Sequence, residues 1–391
     1  MLKSLRQFGC SFVLLALLPA GLAAQRYIYT NNDLATQNSI SGYSVASDGT
    51  ASAVPGSPFS TGQGQQGSGG GYYAANRIII VNNFLYASNS GSNTVSAFSI
   101  DPGTGTLTPV SGSPFPTGAF NDSAAGSGIS LAATPDGQYL FAGSTGLGGQ
   151  ITIYNIDASG ALTMTKKSPF AAGGAMSGMK VSPDGNYLLV AIPSAGAISV
   201  FAIRGPGMLH SIHNSPYVLS SEAATSVDIN CAGNQVFAGG TAGDIYAFNF
   251  ASGALSPVAG SPFATGLASN SVVTLNKGDS TLFSSNQDGS TVTAFAVGPN
   301  GGLTVPGASV SAVTSGTTGF LPYPAGLAVS NDGLFLYAAD VNGNASQQSG
   351  LSIFGLGGST PLVLDSQYST GLAFGLRSLA AYPAKACTAG P

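Results

Sequence analysis

Charge is scarce in this sequence. Charged residues fill 7% of 391 positions, against about 25% in an average soluble domain. Glu222 is the one glutamate. That excludes a coiled coil or a long exposed helix, which need Glu, Lys and Arg in quantity. Lys and Arg number 11 against 15 Asp and Glu, a formal charge of −4, and this excludes the basic surface of a nucleic-acid binder. Tryptophan is absent, and there are 3 cysteines and 2 histidines. Hydrophobic residues reach 43%, so disorder driven by charge repulsion is excluded too. What is abundant is turn chemistry, with 56 Gly and 22 Pro between short runs of β-branched and aromatic side chains. That combination reads as an all-β chain.

The first 24 residues read as a targeting segment. Lys3 and Arg6 precede the apolar run FVLLALLPAGLAA, giving a positive start, an apolar middle and a small-residue exit. The run is shorter than the ~20 residues a membrane span needs. The expected organisation is a signal peptide over 1–24 and one domain over 25–391. The mature protein is expected to be secreted, periplasmic or on the cell surface, with no membrane span after cleavage. Export permits a disulfide. The two cysteines beyond the signal, Cys231 and Cys387, form either a bridge, if the C-terminal tail crosses a face, or two unpaired thiols.

Internal repetition decides the architecture. One strand type reads SISGYSV (39–45), TVSAFSI (94–100), QITIYNI (150–156), AISVFAI (197–203), DIYAFNF (244–250), TVTAFAV (291–297) and GLSIFGL (350–356). Its aromatics recur at spacings from 47 (Tyr154 to Phe201) to 59 (Phe295 to Phe354). A second strand precedes each, as in NFLYAS (83–88) and QYLFAG (138–143), behind tight turns such as Pro135-Asp136-Gly137 and Pro183-Asp184-Gly185. There Pro presets φ, Asp caps the turn and Gly relieves its end. A first strand lies earlier still, and a short outer one ends in Ser-Pro-Phe at 57–59, 113–115, 168–170 and 261–263. Four antiparallel strands per unit of about 52 residues make a β-propeller blade, and seven aromatic strands make seven blades. In TVSAFSI, Phe98 and Ile100 are expected to face one neighbour, and Val95 and Ala97 the other. The first unit lacks its inner strand, and residues 377–383 near the C-terminus carry that pattern. The N- and C-terminal strands are therefore expected to share one blade.

Pro-Asp-Gly-x-Tyr-Leu, the aromatic strand, Gly-x-Leu and Ser-Pro-Phe together resemble the lactonase (6-phosphogluconolactonase-like) family of seven-bladed propellers with YVTN-type repeats. NFLYASNS (83–90) and ATPDGQYLFAG (133–143) carry the resemblance. It implies hydrolysis of sugar lactones. Catalytic members resemble one another in a Pro-Arg-His run before a Pro-Asp-Gly turn and an Asn-Glu pair after the next strand. Here the matching stretches, GSGISLAATPDG and SGMKVSPDG, contain neither Arg nor His, and Asn-Glu occurs nowhere. The family's catalytic residues therefore do not carry over.

Candidate site residues lie in the loops of the face around the central channel, the longest being 60–76, 116–127, 315–325 and 340–350. Arg77 and Arg377 begin neighbouring inner strands and suit a carboxylate, phosphate or sugar, or else close the shared blade by ion pairing. Glu222 and Asp122 are acids of the same face, and Tyr72, Tyr73 and Tyr323 suit stacking on a sugar ring. His210 and His213 align with the outer strand, away from the channel. Asp340-Val-Asn342-Gly-Asn344 lacks the later Glu of a calcium loop and reads as a loop bonded to itself. No cofactor, metal cluster or nucleic-acid partner is expected.

The primary expectation is a monomeric, exported binding or scaffold propeller that contacts a carbohydrate, lactone, glycan or envelope protein. The alternative is a lactone hydrolase, with Arg77 or Arg377 holding an anionic substrate and Glu222 or an Asp activating water.

Overall fold

The turn residues do what their chemistry requires. In the Pro135-Asp136-Gly137 turn, Asp136 Oδ1 accepts the Gln138 N–H at 3.0 Å, and Thr134 Oγ1 accepts the Tyr139 N–H at 3.1 Å. Gly137 closes the turn at φ +70°. Ser182 with Asp184, and Ser330 with Asp332, repeat the arrangement. Each such turn joins the two inner strands of one sheet.

The computed structural model describes residues 25–34, 37–62, 76–118, 128–144, 148–205, 207–219, 222–266, 270–286, 291–304, 310–311, 323–341, 350–357, 363–369 and 378–387. Their strands form seven antiparallel sheets, the blades of one propeller. The innermost strands, a, are Ser378–Tyr382 in blade 1, then Ile78–Val81, Ile129–Ala133, Met179–Val181, Ala224–Ile229, Asn270–Leu275 and Tyr323–Val329. Strands b follow as Arg26–Asn31, Phe84–Asn89, Tyr139–Ser144, Tyr187–Ile192, Gln235–Gly240, Thr281–Asn286 and Phe335–Val341. Strands c are Ser39–Val45, Thr94–Ile100, Gln150–Ile156, Ala197–Arg204, Ile245–Ala251, Thr291–Val297 and Gly350–Gly355. We call the face carrying the d–a and b–c connections the upper face, and the face carrying the a–b turns the lower face. Among the described residues no helix is long and apolar enough to cross a membrane.

The outer strand d is split in two in most blades. In blade 2, Leu107–Pro109 pairs with one half of strand c and Phe115–Pro116 with the other. Between them Ser113 Oγ accepts the Ala97 N–H at 2.9 Å. Ser57, Ser168, Ser215 and Ser261 do the same for Gly42, Ile153, Val200 and Ala247. The serine of Ser-Pro-Phe thus satisfies a strand-c donor that the interrupted ladder would leave unpaired. His210 lies on strand d of blade 4, Met208–Ser211, as its sequence alignment indicates.

Apolar side chains fill the seven gaps between blades. Phe98 and Ile100 pack with Tyr27 and Tyr29 of blade 1, while Val95 and Ala97 pack with Ile129 and Leu131 of blade 3. A glycine tightens the first gap. Gly105 has φ +73°, and a β-carbon there would stand 2.5 Å from the Tyr27 ring. Tyr29 Oη donates to the Gly105 carbonyl at 2.6 Å. Each fully buried large side chain stabilises by about 1.5–3 kcal/mol.

Both chain ends build blade 1, as expected. Strand b runs antiparallel to Ser378–Tyr382, from Tyr27 opposite Tyr382 to Asn31 opposite Ser378. Ser378 Oγ accepts the Arg77 N–H at 3.1 Å, and Tyr382 Oη donates to Asn83 Oδ1 at 2.8 Å. On the other side Arg26 pairs with Asp332 of blade 7, its guanidinium 5.3 Å from the centre of the Phe335 ring.

Candidate active site

A repeated polar slot lies on the upper face, where strand b ends opposite the start of strand c. In three blades it holds asparagine. Asn32 Nδ2 donates to Ser39 Oγ and Ser41 Oγ, both at 2.9 Å. Asn89 Nδ2 donates to Thr94 Oγ1 at 3.2 Å and Ser96 Oγ at 2.9 Å. Asn286 Nδ2 donates to Thr291 Oγ1 at 3.1 Å and Thr293 Oγ1 at 2.8 Å. A carboxamide nitrogen has two protons and meets two hydroxyls.

Blades 5 and 7 break this rule, each with an acid. In blade 5 the slot position is Gly240. Glu222, on the loop that enters strand a, reaches into the space a Gly240 side chain would take. Its Oε2 accepts the Ala242 N–H at 2.5 Å. Asp244 stands where blade 2 has Thr94, and its carboxyl interacts with that of Glu222. Glu222 is 8% exposed, and its buried Oε1 has no hydrogen-bond partner among the described residues. Burial raises the Glu222 pKa above the usual carboxylate value, and the Asp244 charge adds to this against the Ala242 N–H.

In blade 7 the slot position is Asp340, which is fully buried. Ser352 Oγ donates to its Oδ2 at 2.6 Å. Gly350 replaces the second hydroxyl residue, and Oδ1 has no partner among the described residues. Burial holds the Asp340 pKa well above the usual value.

The channel wall carries a second charged group. Lys180 and Asp228, on the inner strands of blades 4 and 5, pair at 2.9 Å. Lys180 is half-exposed between buried Met179 and Val181, on the strand face turned toward blade 5. The Asp228 carboxylate foremost raises the Lys180 pKa. Burial pushes the Asp228 pKa up, but Lys180, Lys385 and the Leu275 N–H outweigh it and hold it below the usual range.

The structure distributes the sequence candidates unevenly. Glu222 is on the upper face beside Asp244. Arg77 is 1% exposed and pairs with Asp33 Oδ2 at 2.6 Å, across the boundary of blades 1 and 2. Asp122, Tyr72, Tyr73 and Arg377 lie outside the described residues, as do Asn342 and Asn344. Tyr323 begins strand a of blade 7, and its side chain is outside them too. Cys231 and Cys387 are joined by a disulfide. Asp244, Lys180 and Asp228 were not singled out from sequence. Aligning the slot position across repeats exposes Gly240 and Asp340 against Asn32, Asn89 and Asn286. Among the described residues no three of His, Cys, Asp or Glu converge on a metal-sized site.

Residues 121–215 match the family model described as Lactonase, 7-bladed beta-propeller. No curated protein matches the chain. Solved structures share the fold at low identity. A protein of Bacteroides uniformis proposed to be a 6-phosphogluconolactonase is 15% identical, with TM-score 0.68 over 92% of this chain and 100% of that one. One of Bacteroides fragilis, with the same proposed activity, is 18% identical, with TM-score 0.68 over 93% and 99%. A periplasmic gluconolactonase of Pseudomonas aeruginosa is 18% identical, with TM-score 0.67 over 91% and 98%. The chain is a seven-bladed β-propeller, similar over residues 121–215 to the lactonase family of that fold.

Proposed function

We propose that this protein is an exported hydrolase of sugar lactones, acting at the upper face with Glu222 as its proton-transferring group. The carrying observation is the carboxyl pair of blade 5. Glu222 Oε1 is without a partner among the described residues, and Asp244 stands beside it. A carboxyl whose pKa is lifted toward the working pH is suited to general acid–base catalysis. In its ionised form Glu222 takes a proton from water as the water oxygen attacks the lactone carbonyl carbon. The tetrahedral adduct collapses with cleavage of the ring C–O bond. The protonated carboxyl returns its proton to the departing alkoxide, which leaves a hydroxy acid. The match over residues 121–215 supports the reaction class. The apolar N-terminal run and the Cys231–Cys387 bridge support an oxidising compartment.

A second reading is a binding propeller without turnover. It is favoured by inner strands Ile129–Ala133 and Met179–Val181, which carry neither Arg nor His. A pH-stat assay with gluconolactone on the mature protein separates the two. Turnover above the spontaneous rate, lost in Glu222→Gln at unchanged melting temperature, is the expected result. Absence of turnover across sugar and acyl lactones would overturn the hydrolase and leave the binding reading.

A further inference from the structure

The chain continues past strand a of blade 1 and runs beneath the ring. The Ala386 N–H donates to Asn331 Oδ1 in the a–b turn of blade 7, at 3.1 Å. Lys385 Nζ donates at 3.1 Å to the carbonyl of Leu275, the last residue of strand a in blade 6. It also lies 3.5 Å from Asp279 Oδ1 in the a–b turn of that blade. Cys387 is bonded to Cys231 in the a–b turn of blade 5, and the Cys231 N–H donates to Asp279 Oδ2 at 2.6 Å. Residues 383–387 thus tie blade 1 to blades 7, 6 and 5 across the lower face. The Lys385 ammonium interacts electrostatically with Asp228 and Lys180 on the inner strands of blades 5 and 4. Its head therefore sits at the lower end of the inner strand of blade 6.

We infer that residues 383–387 are a disulfide-locked strap that shuts the lower mouth of the channel, so that ligands enter and leave by the upper face, and that reduction of the bridge opens the lower mouth. Of the strap contacts only the disulfide is covalent. The Lys385–Asp279 pair is partly exposed, and pairs of that kind hold weakly. A dithiol reductant supplies the two electrons and two protons. Its thiolate attacks one sulfur, the Cys231–Cys387 bond breaks, and the mixed disulfide resolves to two protein thiols and an oxidised cyclic reductant.

Amine-directed labelling of Lys180, read by mass spectrometry against exposed Lys166 and Lys167 in the same protein, tests this closure. In the oxidised mature protein Lys180 should label slowly. Reduction should speed it roughly tenfold, as for a segment whose closed state is favoured by ~1.4 kcal/mol. Lys385→Ala with the bridge intact removes only the Lys385 side chain. It should also speed labelling, and it keeps the test decisive if reduction loosens the whole ring. Reagent entering through the upper face sets a basal rate shared by all three proteins, so equal Lys180 labelling in the oxidised, reduced and Lys385→Ala proteins would mean that neither change opens a lower route, and would overturn the inference.

Discussion

Glu222 Oε2 sits where a side chain at Gly240 would begin, so the two positions exclude one another. In the other blades with a filled amide slot, the residue ending strand b bridges to strand c itself. Gly240→Asn should place a carboxamide against Asp244 in blade 5 and push the Glu222 carboxyl out. The expected outcome is a folded protein of near-normal melting temperature whose lactone turnover falls by about 10²-fold, the low end of what a general base contributes. Unchanged turnover in Gly240→Asn would show that the Glu222 position is irrelevant to activity.

Asp340 should make stability depend on pH in a direction opposite to most carboxylates. Burial raises its folded-state pKa. Its contribution is fully present below the unfolded pKa, near 3.9, and is lost as pH rises through the folded value, because the unfolded chain ionises first. Asp340→Asn removes that loss. It should stabilise by about 1–3 kcal/mol at pH 7 and by almost nothing near pH 3.5. Thermal melts of both proteins across this range check it. A stabilisation independent of pH would contradict the assignment.

Arg77 and Asp33 are both nearly inaccessible and paired. Arg77→Met should leave a buried carboxylate at the junction of blades 1 and 2 and cost about 3–5 kcal/mol. Urea unfolding measures this. A loss below 1 kcal/mol would show that the pair is not what holds the junction.

Gly105→Ala puts a β-carbon into the Tyr27 ring at a positive φ. It should cost about 2–4 kcal/mol. Gly103→Ala, whose β-carbon would meet nothing closer than Asp101 Oδ1 at 3.4 Å, serves as the control and should cost far less. Equal effects would remove the inter-blade contact from the explanation.

A chain ending at Arg377 lacks the inner strand of blade 1. Leu379, Ala380, Ala381 and Tyr382 leave two apolar gaps at once. Such a chain should lose near-UV circular dichroism while keeping strand content, or precipitate. A monodisperse, cooperatively melting truncate would contradict the shared blade.

The architecture was legible because every blade writes its own period. The opposed facing of Phe98 and Val95 follows from alternation, and the strand at 378–382 from its match to the inner-strand pattern that the first unit lacks. The candidate site was legible only in part. Glu222 stands out by its charge, but its meeting with Asp244 depends on an absence at Gly240 that becomes visible only when strands b and c are set in register. Lys180 and Asp228 belong to different repeats, so sequence spacing does not bring them together. The cysteine pair stayed open for the same reason: Cys387 reaches Cys231 by passing under three blades.

The shared blade also sets the order in which the molecule can be completed. Arg77 meets Ser378 across 301 positions. At ~5–20 residues per second of synthesis, the first blades wait about 15–60 s for their last neighbour. Throughout that interval the gap beside blade 1 is an open sheet edge. Until then the folded part is an arc, and the finished ring appears only when its final strand arrives.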